Sequence, residues 1–195
     1  MCGIIGYTGK SRNVGQILLE GLKRLEYRGY DSAGLAIVRD GQMITEKTPG
    51  KIVKLEESLK EMDISGSLGI AHTRWATHGV PNKVNAHPHY DSRMKIALVH
   101  NGIIENYQTL KKSLVAEGHT FVSDTDTEVL AHLIEKFYKG KDLELAVQKA
   151  LEMVEGTYGI LVVSVNEPDK IVGARNVSTV VVGVGDDEYF IASDV

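Results

Sequence analysis

The sequence predicts an α+β fold in which two β-sheets lie face to face and helices cover each outer surface. Short apolar runs separated by turn residues fill the C-terminal part of the chain, and segments with helical spacing of apolar residues precede them. The runs are apolar throughout rather than alternating, so both faces of each strand are expected to be covered. Antiparallel hairpins are not covered by crossover helices. A second sheet is therefore expected on one face and helices on the other.

Residue patterns in the N-terminal half predict strands and helices that alternate along the chain. A short buried strand is expected at 4–7, and a hairpin is expected at 35–45 because Asp40-Gly41 is a favoured two-residue turn. A further strand is expected at 66–73. Two amphipathic helices are indicated by apolar residues at helical spacing. These residues are Val14, Ile17, Leu18, Leu22 and Leu25 in the first helix, and Ile52, Leu55, Leu59 and Met62 in the second.

The C-terminal half predicts one strand, three helices and then a β-meander. The strand at 96–99 leads into His100-Asn101-Gly102, and Thr125-Asp126-Thr127-Glu128 predicts a capping box at the start of a helix. Apolar spacing indicates helices at 107–114, 129–137 and 143–154. The meander has apolar runs at 160–163, 171–172, 180–182 and 189–192, separated by turn residues that include 166–169 and 185–188.

Composition excludes several classes of protein. The 195 residues are 43% hydrophobic and 25% charged, as in ordinary globular proteins. The net charge is −4 without a basic stripe, so neither nucleic acid nor an anionic membrane is an expected partner. The apolar runs are too short to span a bilayer, and the N-terminus does not show a secretory signal. One cysteine cannot form an internal disulfide, and the cytoplasm is the expected compartment.

That single cysteine, Cys2, directly follows the initiator Met1. Removal of Met1 would give one residue a thiol with an ordinary pKa of about 8.5 and a free α-amine with a pKa of about 7.7 to 8.0. A proton can pass between such groups near neutral pH, and a terminal amine can serve as the base for a nucleophile. The alternative is a buried thiol that happens to lie at position 2.

Three other features could act on a substrate, and each has an ordinary structural alternative. Asn101-Gly102 is a hairpin-turn signal, but a side-chain amide beside a glycine N–H also makes a pair of donors for an oxyanion. Arg74 is either a surface cation or a bidentate partner for a carboxylate. Asp126 is either a carboxylate stabilised by a helix dipole or a partner for a substrate ammonium group.

The segment 74–89 has no clear periodicity, and a loop of this length is usually either functional or disordered. Its Trp, Arg and His content favours function. His87-Pro88-His89 is weak evidence for a metal because neither Cys nor a paired acidic ligand accompanies it, so no metal is expected. Gly183-Val184-Gly185 precedes a strand rather than a helix, which excludes a phosphate-binding loop.

A nucleophile, an oxyanion pair, a carboxylate fork and an ammonium partner together describe an α-amino acid with an acyl group at its far end. L-Glutamine is the obvious substrate of that kind. The motifs agree with this interpretation. Met1-Cys2-Gly3-Ile4-Ile5-Gly6 is similar to the start of class II glutamine amidotransferases, whose nucleophile is an N-terminal cysteine.

Longer motifs resemble a narrower group, the glutaminase domain of the glucosamine-6-phosphate synthase family. They occur in the family's order over essentially the whole chain. The motifs are LEYRGYDSAG at 25–34, HTRWATHG at 72–79, NAHPH at 85–89, HNGIIEN at 100–106 and SDTDTE at 123–128. The resemblance implies a four-layer αββα sandwich of the N-terminal-nucleophile (Ntn) hydrolase type that works without a cofactor.

The resemblance also assigns the principal roles. Cys2 is the expected nucleophile, with its own amine as the base acting through a water molecule. Asn101 and Gly102 are expected to form the oxyanion hole. Arg74 is expected to bind the α-carboxylate of glutamine, and Asp126 is expected to bind its α-ammonium group.

Other residues of the motifs have supporting roles by the same resemblance. Thr77 and His78 are expected to line the substrate loop, and Trp75 is expected to belong to a mobile flap over glutamine. Arg28 is expected to support the site from behind the residues that touch substrate. His87 is expected near the pocket, without an assigned role.

Residues 1–195 are accordingly expected to form one glutaminase domain, cut slightly short at its C-terminus. In the family, further sugar isomerase domains bind fructose 6-phosphate and use the ammonia to make glucosamine 6-phosphate for amino-sugar synthesis. Those domains are not in this sequence, so glutamine hydrolysis is the activity expected of the chain alone. The full enzyme is expected to be a homo-oligomer.

Two other interpretations stay open at this point. A papain-like thiol hydrolase would use a histidine base such as His78 or His100, although such enzymes place the nucleophile at the start of a helix. A non-catalytic amino-acid-binding or regulatory module would leave Cys2 without a chemical role.

Overall fold

The computed structural model describes residues 2–75 and 79–195. In these residues the α-helices are α1 (Val14–Leu25), α2 (Ile52–Leu59), α3 (Tyr107–Ala116), α4 (Thr127–Phe137) and α5 (Leu143–Leu151), with a short 3-10 turn at Glu26–Arg28. The strands are β1 (Gly3–Gly9), β2 (Ser32–Arg39), β3 (Gln42–Pro49), β4 (Leu68–Arg74), β5 (His89–Tyr90), β6 (Ile96–Ile104), β7 (Gly156–Ser164), β8 (Glu167–Asn176), β9 (Val181–Gly185) and β10 (Glu188–Ala192). The predicted helices and strands are confirmed, with shifts of a few residues at their ends.

The strands form two antiparallel sheets. One has the order β3-β2-β4-β1-β10-β9, and the other has the order β5-β6-β7-β8. Strand β1 lies inside the larger sheet, where Gly3 pairs with Thr73 of β4 and Ile5 pairs with Ala192 of β10. The backbone beside Cys2 is therefore held on both sides, whereas chain termini are usually loose.

The two sheets pack face to face and each carries helices on its outer surface. One apolar core lies between the larger sheet and α1 and α2, and a second lies between the smaller sheet and α3, α4 and α5. A third lies between the sheets and contains Ile4, Ile70 and Val99. In β7, Ile160 faces the helices and the next residue, Leu161, faces the other sheet. This arrangement confirms the predicted αββα sandwich and explains why the run 160–163 of β7 is apolar at every position.

The C-terminal meander departs from the prediction in two ways. It divides between the sheets, because β7 and β8 pair in the smaller sheet while β9 and β10 join the larger one. The expectation that all its strands are covered on both faces is wrong for β9. That strand lies at the edge of its sheet, and Val182 and Val184 are 65% and 75% exposed. An apolar run alone does not distinguish an edge strand from a central one.

Among the described residues, no helix is both long enough and apolar enough to cross a membrane.

Candidate active site

The site forms where the start of β1 and the end of β4 meet the middle of β6. Because Gly3 pairs with Thr73, the adjacent residues Cys2 and Arg74 come together at the same end of the larger sheet. Asn101 reaches this point from β6 of the smaller sheet, and its Nδ2 donates a hydrogen bond to the Cys2 carbonyl oxygen at 2.8 Å. The candidate nucleophile and the candidate oxyanion residue thus meet at the seam between the two sheets.

The Cys2 thiol is partly buried against the start of the loop after β4. The Trp75 backbone N–H donates to Sγ at 3.1 Å. Burial raises the pKa of the Cys2 thiol, although the Trp75 N–H and the positive charge of Arg74 act in the opposite direction. Since a thiolate is the reactive species, a nucleophilic Cys2 requires a base within reach.

The side-chain amide of Asn101 is oriented by His72. Nε2 of His72 lies 3.2 Å from the carbonyl oxygen of His100 and 3.1 Å from Oδ1 of Asn101. The carbonyl oxygen can only accept, so His72 is the donor and carries its proton on Nε2. Burial lowers the pKa of His72 to about 3, so its imidazole is neutral at ordinary pH. With Oδ1 facing His72, the Nδ2 atom of Asn101 must face Cys2.

Gly102 lies in a backbone conformation that favours glycine, with φ of +141°. A Cβ atom at this position would lie 2.0 Å from the carbonyl oxygen of Thr157. The hairpin-turn interpretation of Asn101-Gly102 is wrong, because both residues lie within β6 and pair with Gly159 and Tyr158 of β7. The strand passes straight through the dipeptide, and the glycine is required by the close approach of β7.

Arg74 and Asp126 are both buried and lie near each other. The surface-cation interpretation of Arg74 is wrong, because the residue is 3% exposed. Burial lowers the pKa of its guanidinium, and the negative charges of Asp126 and Asp31 oppose this effect. Oδ2 of Asp126 accepts the Ile104 N–H at 2.8 Å. This bond joins Asp126, at the start of α4, to the strand that carries Asn101 and Gly102.

Only one of the two hydrogen bonds of the predicted capping box is present before α4. The Thr125 hydroxyl accepts the Glu128 N–H at 3.4 Å, as predicted. The Glu128 carboxylate, however, accepts the backbone N–H groups of Val122 and Ser123 at 2.9 and 2.7 Å. The carboxylate therefore fixes the loop before α4, and Asp126 at the helix terminus makes no side-chain cap of its own.

The remaining predicted residues occupy different positions around this centre. The Arg28 Nε–H donates to the Cys2 carbonyl oxygen at 3.3 Å, and Nη1 forms an ion pair of 2.6 Å with Asp194. Arg28 thus contacts the backbone of Cys2. The Trp75 ring packs edge-on against Tyr30, with 5.7 Å between ring centroids. Thr77 and His78 lie outside the described residues.

His87 belongs to a group of buried histidines behind Asn101. Its ring stacks on that of His72 with 4.2 Å between centroids, and its Nε2 lies 2.9 Å from the Thr127 hydroxyl oxygen. Nδ1 of His100 lies 3.0 Å from the same hydroxyl. Burial lowers the pKa of both His87 and His100. His100 is therefore engaged with Thr127, which does not support its use as a papain-like base for Cys2.

Several residues that shape this site have no role in the sequence analysis. They are His72, which orients Asn101, Thr127, which contacts two histidines, and Asp194, which pairs with Arg28. His72 is part of a motif that resembles the family, so its position carries a signal, but its partner is 29 residues away along the chain. Asp194 has no such signal, because its contact depends on β10 lying beside β1.

Comparison with known sequences places this geometry in context. A family model described as a glutamine amidotransferase domain matches residues 72–195. The glutamine–fructose-6-phosphate aminotransferase (isomerizing) of Clostridium tetani is 56% identical over 195 residues, which are 100% of this chain and 32% of that protein. The protein of the same name from Thermococcus kodakarensis is 53% identical over 196 residues, with the same coverage. The chain spans about a third of the length of the curated relatives it matches.

Solved structures agree on the fold. The glutamine phosphoribosylpyrophosphate amidotransferase from B. subtilis has a TM-score of 0.85 and 28% sequence identity. The match covers 98% of this chain and 42% of that one. A glutamine aminotransferase class-II domain protein from Silicibacter pomeroyi has a TM-score of 0.65 at 12% identity, which is a similarity of fold alone.

Proposed function

This chain belongs to the glutamine amidotransferase domain family, with an Ntn-hydrolase-type fold, and we propose that it hydrolyses L-glutamine to glutamate and ammonia through a thioester on Cys2. The observation that carries the proposal is the hydrogen bond from Asn101 Nδ2 to the Cys2 carbonyl oxygen. It fixes an amide donor beside the thiol. A primary amide has two N–H groups, so the second is available for an oxygen of the substrate.

The reaction begins at the sulfur. Removal of Met1 frees the α-amine of Cys2, which takes the thiol proton through a water molecule. The thiolate adds to the side-chain amide carbon of glutamine, and the oxygen of that amide becomes an oxyanion. The second Asn101 N–H and the Gly102 backbone N–H stabilise the oxyanion. One donor of this kind is worth about 10² to 10³ in turnover.

Collapse of this intermediate breaks the C–N bond. The protonated α-amine of Cys2 gives its proton to the leaving nitrogen, and ammonia departs. Water then adds to the thioester carbon through a second oxyanion, the C–S bond breaks, and glutamate is released with the thiol restored. No cofactor is needed, because no electrons are exchanged with an external acceptor.

The charges of the site suit the α-amino acid end of the substrate. Arg74 is buried, and its planar guanidinium can bind the α-carboxylate with two parallel hydrogen bonds. Asp126 provides the opposite charge for the α-ammonium group. Trp75 is proposed to cover bound glutamine together with Thr77 and His78, which follow it closely in the sequence.

The role of the longer protein is proposed from the names of the relatives. We propose that residues 1–195 act as the glutaminase domain of a glutamine–fructose-6-phosphate aminotransferase. Sugar isomerase domains would then use the ammonia to convert fructose 6-phosphate to glucosamine 6-phosphate. A homo-oligomer in the cytoplasm is the proposed form of that enzyme.

Covalent labelling tests the proposed chemistry. The chain is incubated with a diazoketone analogue of glutamine, and the intact mass and the peptide masses are measured. We expect loss of Met1 and a single adduct on Cys2, which excess glutamine prevents and Cys2→Ser abolishes. A folded chain that retains Met1, or that fails to label, would favour the non-catalytic binding module instead.

A further inference from the structure

Outside the active site, three side chains with metal-binding atoms converge on the face of α4. His132 and Glu135 lie three residues apart on that helix, and His119 follows α3. The ligand atoms of these three side chains all lie within 4.8 Å of one another. Neither the catalytic proposal nor the family resemblance assigns a role to any of these three residues.

The spacing of the three atoms is that of ligands around one small cation. The two Nδ1 atoms are 3.3 Å apart, and they lie 3.4 and 3.3 Å from Oε2 of Glu135. In a tetrahedral zinc site with bonds of about 2.0 to 2.1 Å, neighbouring ligand atoms are about 3.3 to 3.4 Å apart. The three atoms therefore form one face of a tetrahedron with nearly equal edges.

Hydrogen bonds within this triangle cannot satisfy all three atoms at once, although the Ser92 hydroxyl also lies 3.4 Å from Nδ1 of His132. Each imidazole can give its Nδ1 proton to Glu135, but two Nδ1–H groups would then face each other. If one Nδ1 is instead an acceptor, that ring no longer donates to the carboxylate. A single cation at the centre removes the conflict, because both nitrogens and the oxygen can then present lone pairs.

The groups behind the triangle lie close to its members. Nε2 of His132 lies 3.7 Å from Oε1 of Glu128, which is beyond hydrogen-bond distance, so a small movement of the ring would let this carboxylate orient a metal-bound imidazole. Glu128 is held by the Ser123 hydroxyl at 2.6 Å. Oε2 of Glu135 accepts the Ser92 hydroxyl at 2.9 Å. The ligands are therefore largely in place before an ion arrives.

An ion could reach this site from solvent. His132 is buried, but the His119 and Glu135 side chains are 16% and 19% exposed. Glu135 also lines an open cavity of about 400 Å³ together with Arg93 and Lys139. A water molecule from solvent could fill the fourth ligand position, as it does in zinc sites with three protein ligands.

We propose that His119, His132 and Glu135 bind one divalent transition-metal ion, with Zn²⁺ as the probe that best fits two imidazoles and a carboxylate. The ion would join the segment after α3 to the middle of α4. Since α4 begins directly after Asp126, the ion would stabilise the helix that follows a candidate glutamine-binding residue. This proposal departs from the sequence expectation of no metal, which rests on His87-Pro88-His89. The candidate ligands are instead a His-x-x-Glu pair at 132 and 135 together with His119.

A proton is the competing occupant. Burial disfavours a charged His132, but Glu128 and Glu135 outweigh that effect and raise the pKa of His132. The charged groups facing this ring from α4 are those two carboxylates, and His119 faces it from the segment after α3. Zinc must displace a proton from this cluster, so its affinity should increase with pH.

The test is calorimetric titration of the chelator-treated 195-residue chain with ZnCl₂. All variants carry Cys2→Ser, because a thiolate beside a free amine would itself bind zinc. We expect one ion per chain and an increase in the temperature of unfolding. His119→Asn and Glu135→Gln should weaken binding by at least about tenfold. Glu117→Gln is the matched control, since it removes one charge from the same region, where Glu117 pairs with Lys136.

Two outcomes would overturn the proposal. The first is no saturable binding by the Cys2→Ser chain, and the second is equal affinity in His119→Asn, Glu135→Gln and Glu117→Gln. Imidazole ¹⁵N spectra give a readout independent of folding, because Nδ1 of His119 and His132 should shift on addition of zinc. The Cys2→Ser background lacks the thiol, and zinc binding is measured without glutamine, so the result does not depend on the proposed glutamine hydrolysis.

Discussion

His72 donates a hydrogen bond from Nε2 to Oδ1 of Asn101 over 3.1 Å, and this bond determines which atom of the Asn101 amide faces Cys2. The opposite end of the same amide donates to the Cys2 carbonyl oxygen. The two bonds give one orientation, because a flipped amide would place its oxygen against a carbonyl oxygen and its N–H₂ against an N–H. The donor needed for an oxyanion is therefore fixed before substrate binds.

Removal of the Asn101 amide should affect turnover rather than binding. We expect Asn101→Ala to lower kcat by about 10² to 10³ with little change in KM, because the oxyanion exists only after the thiolate has attacked. Steady-state ammonia release measures both constants. Asn176→Ala is a suitable control. The Asn176 side chain lies at the end of the edge strand β8 and donates to the Gly156 carbonyl of β7. An Asn101→Ala chain with unchanged kcat would remove this residue from the mechanism.

His72 should act through Asn101 and not as a base. His72→Ala is expected to lower kcat by about tenfold, the upper range for one lost hydrogen bond, with KM nearly unchanged. His72→Gln should recover most of the loss, since its amide Nε2 can donate from a similar position. The pH profile of kcat should keep its shape in both variants. Equal losses in Ala and Gln variants would indicate a packing role only.

Arg74 should contribute mainly to glutamine binding. Arg74→Lys is expected to raise KM because a lysine ammonium is a point charge and cannot replace a planar pair of donors. The same replacement at Arg39, which pairs with Asp63 on the surface, is the matched control and should leave KM unchanged. Isothermal titration of glutamine into the Cys2→Ser chain measures affinity directly. Unaltered affinity in Arg74→Lys would show that another group binds the carboxylate.

The buried histidines should make stability depend on pH in the acid range. Burial lowers the pKa of His72 to about 3 and also lowers those of His87, His89 and His100. Between about pH 6.5 and the folded pKa, the unfolded chain binds protons that the folded chain does not, so the free energy of unfolding decreases as pH falls. Each such histidine contributes about 1.4 kcal/mol per pH unit well below 6.5. The raised pKa of His132 makes the free energy of unfolding increase as pH falls, but this one histidine opposes four with lowered pKa values.

Urea unfolding at several values between pH 7 and pH 5 measures this slope. His89→Gln should reduce the dependence of the free energy of unfolding on pH by the contribution of one histidine. The glutamine amide keeps a donor near Thr125, which the His89 ring contacts at 3.0 Å. A slope that is the same in His89→Gln and the parent chain would contradict the assignment of a neutral buried imidazole.

The layers of the fold could be predicted because they depend on local apolar patterns. Continuously apolar runs such as 160–163 predict strands that are buried on both faces. The predicted Asp40-Gly41 turn is confirmed by the pairing of Arg39 with Gln42. The exposure of Val182 and Val184 could not be predicted, since it depends on β9 being the edge strand.

The candidate site likewise has residues that could be predicted from the sequence and contacts that could not. Cys2, Arg74 and Asn101 are visible from the sequence because unusual residue types stand out and resemble family motifs. The supporting contacts are not visible, because they join distant segments. Arg28 and Asp194 are 166 residues apart, and His119 meets His132 only because the chain after α3 returns to α4.

The central claim is that the free α-amine of Cys2 acts as the base for its own thiol. It is tested most directly by inserting one Ala between Met1 and Cys2, which moves the amine to another residue and leaves the thiol intact. One Gly inserted after Gly41 in the β2–β3 turn serves as the control for an added residue, and thermal unfolding establishes that both chains are folded. We predict that glutamine hydrolysis falls to background in the Ala insertion and persists in the control. Undiminished hydrolysis by the Ala insertion would contradict the account.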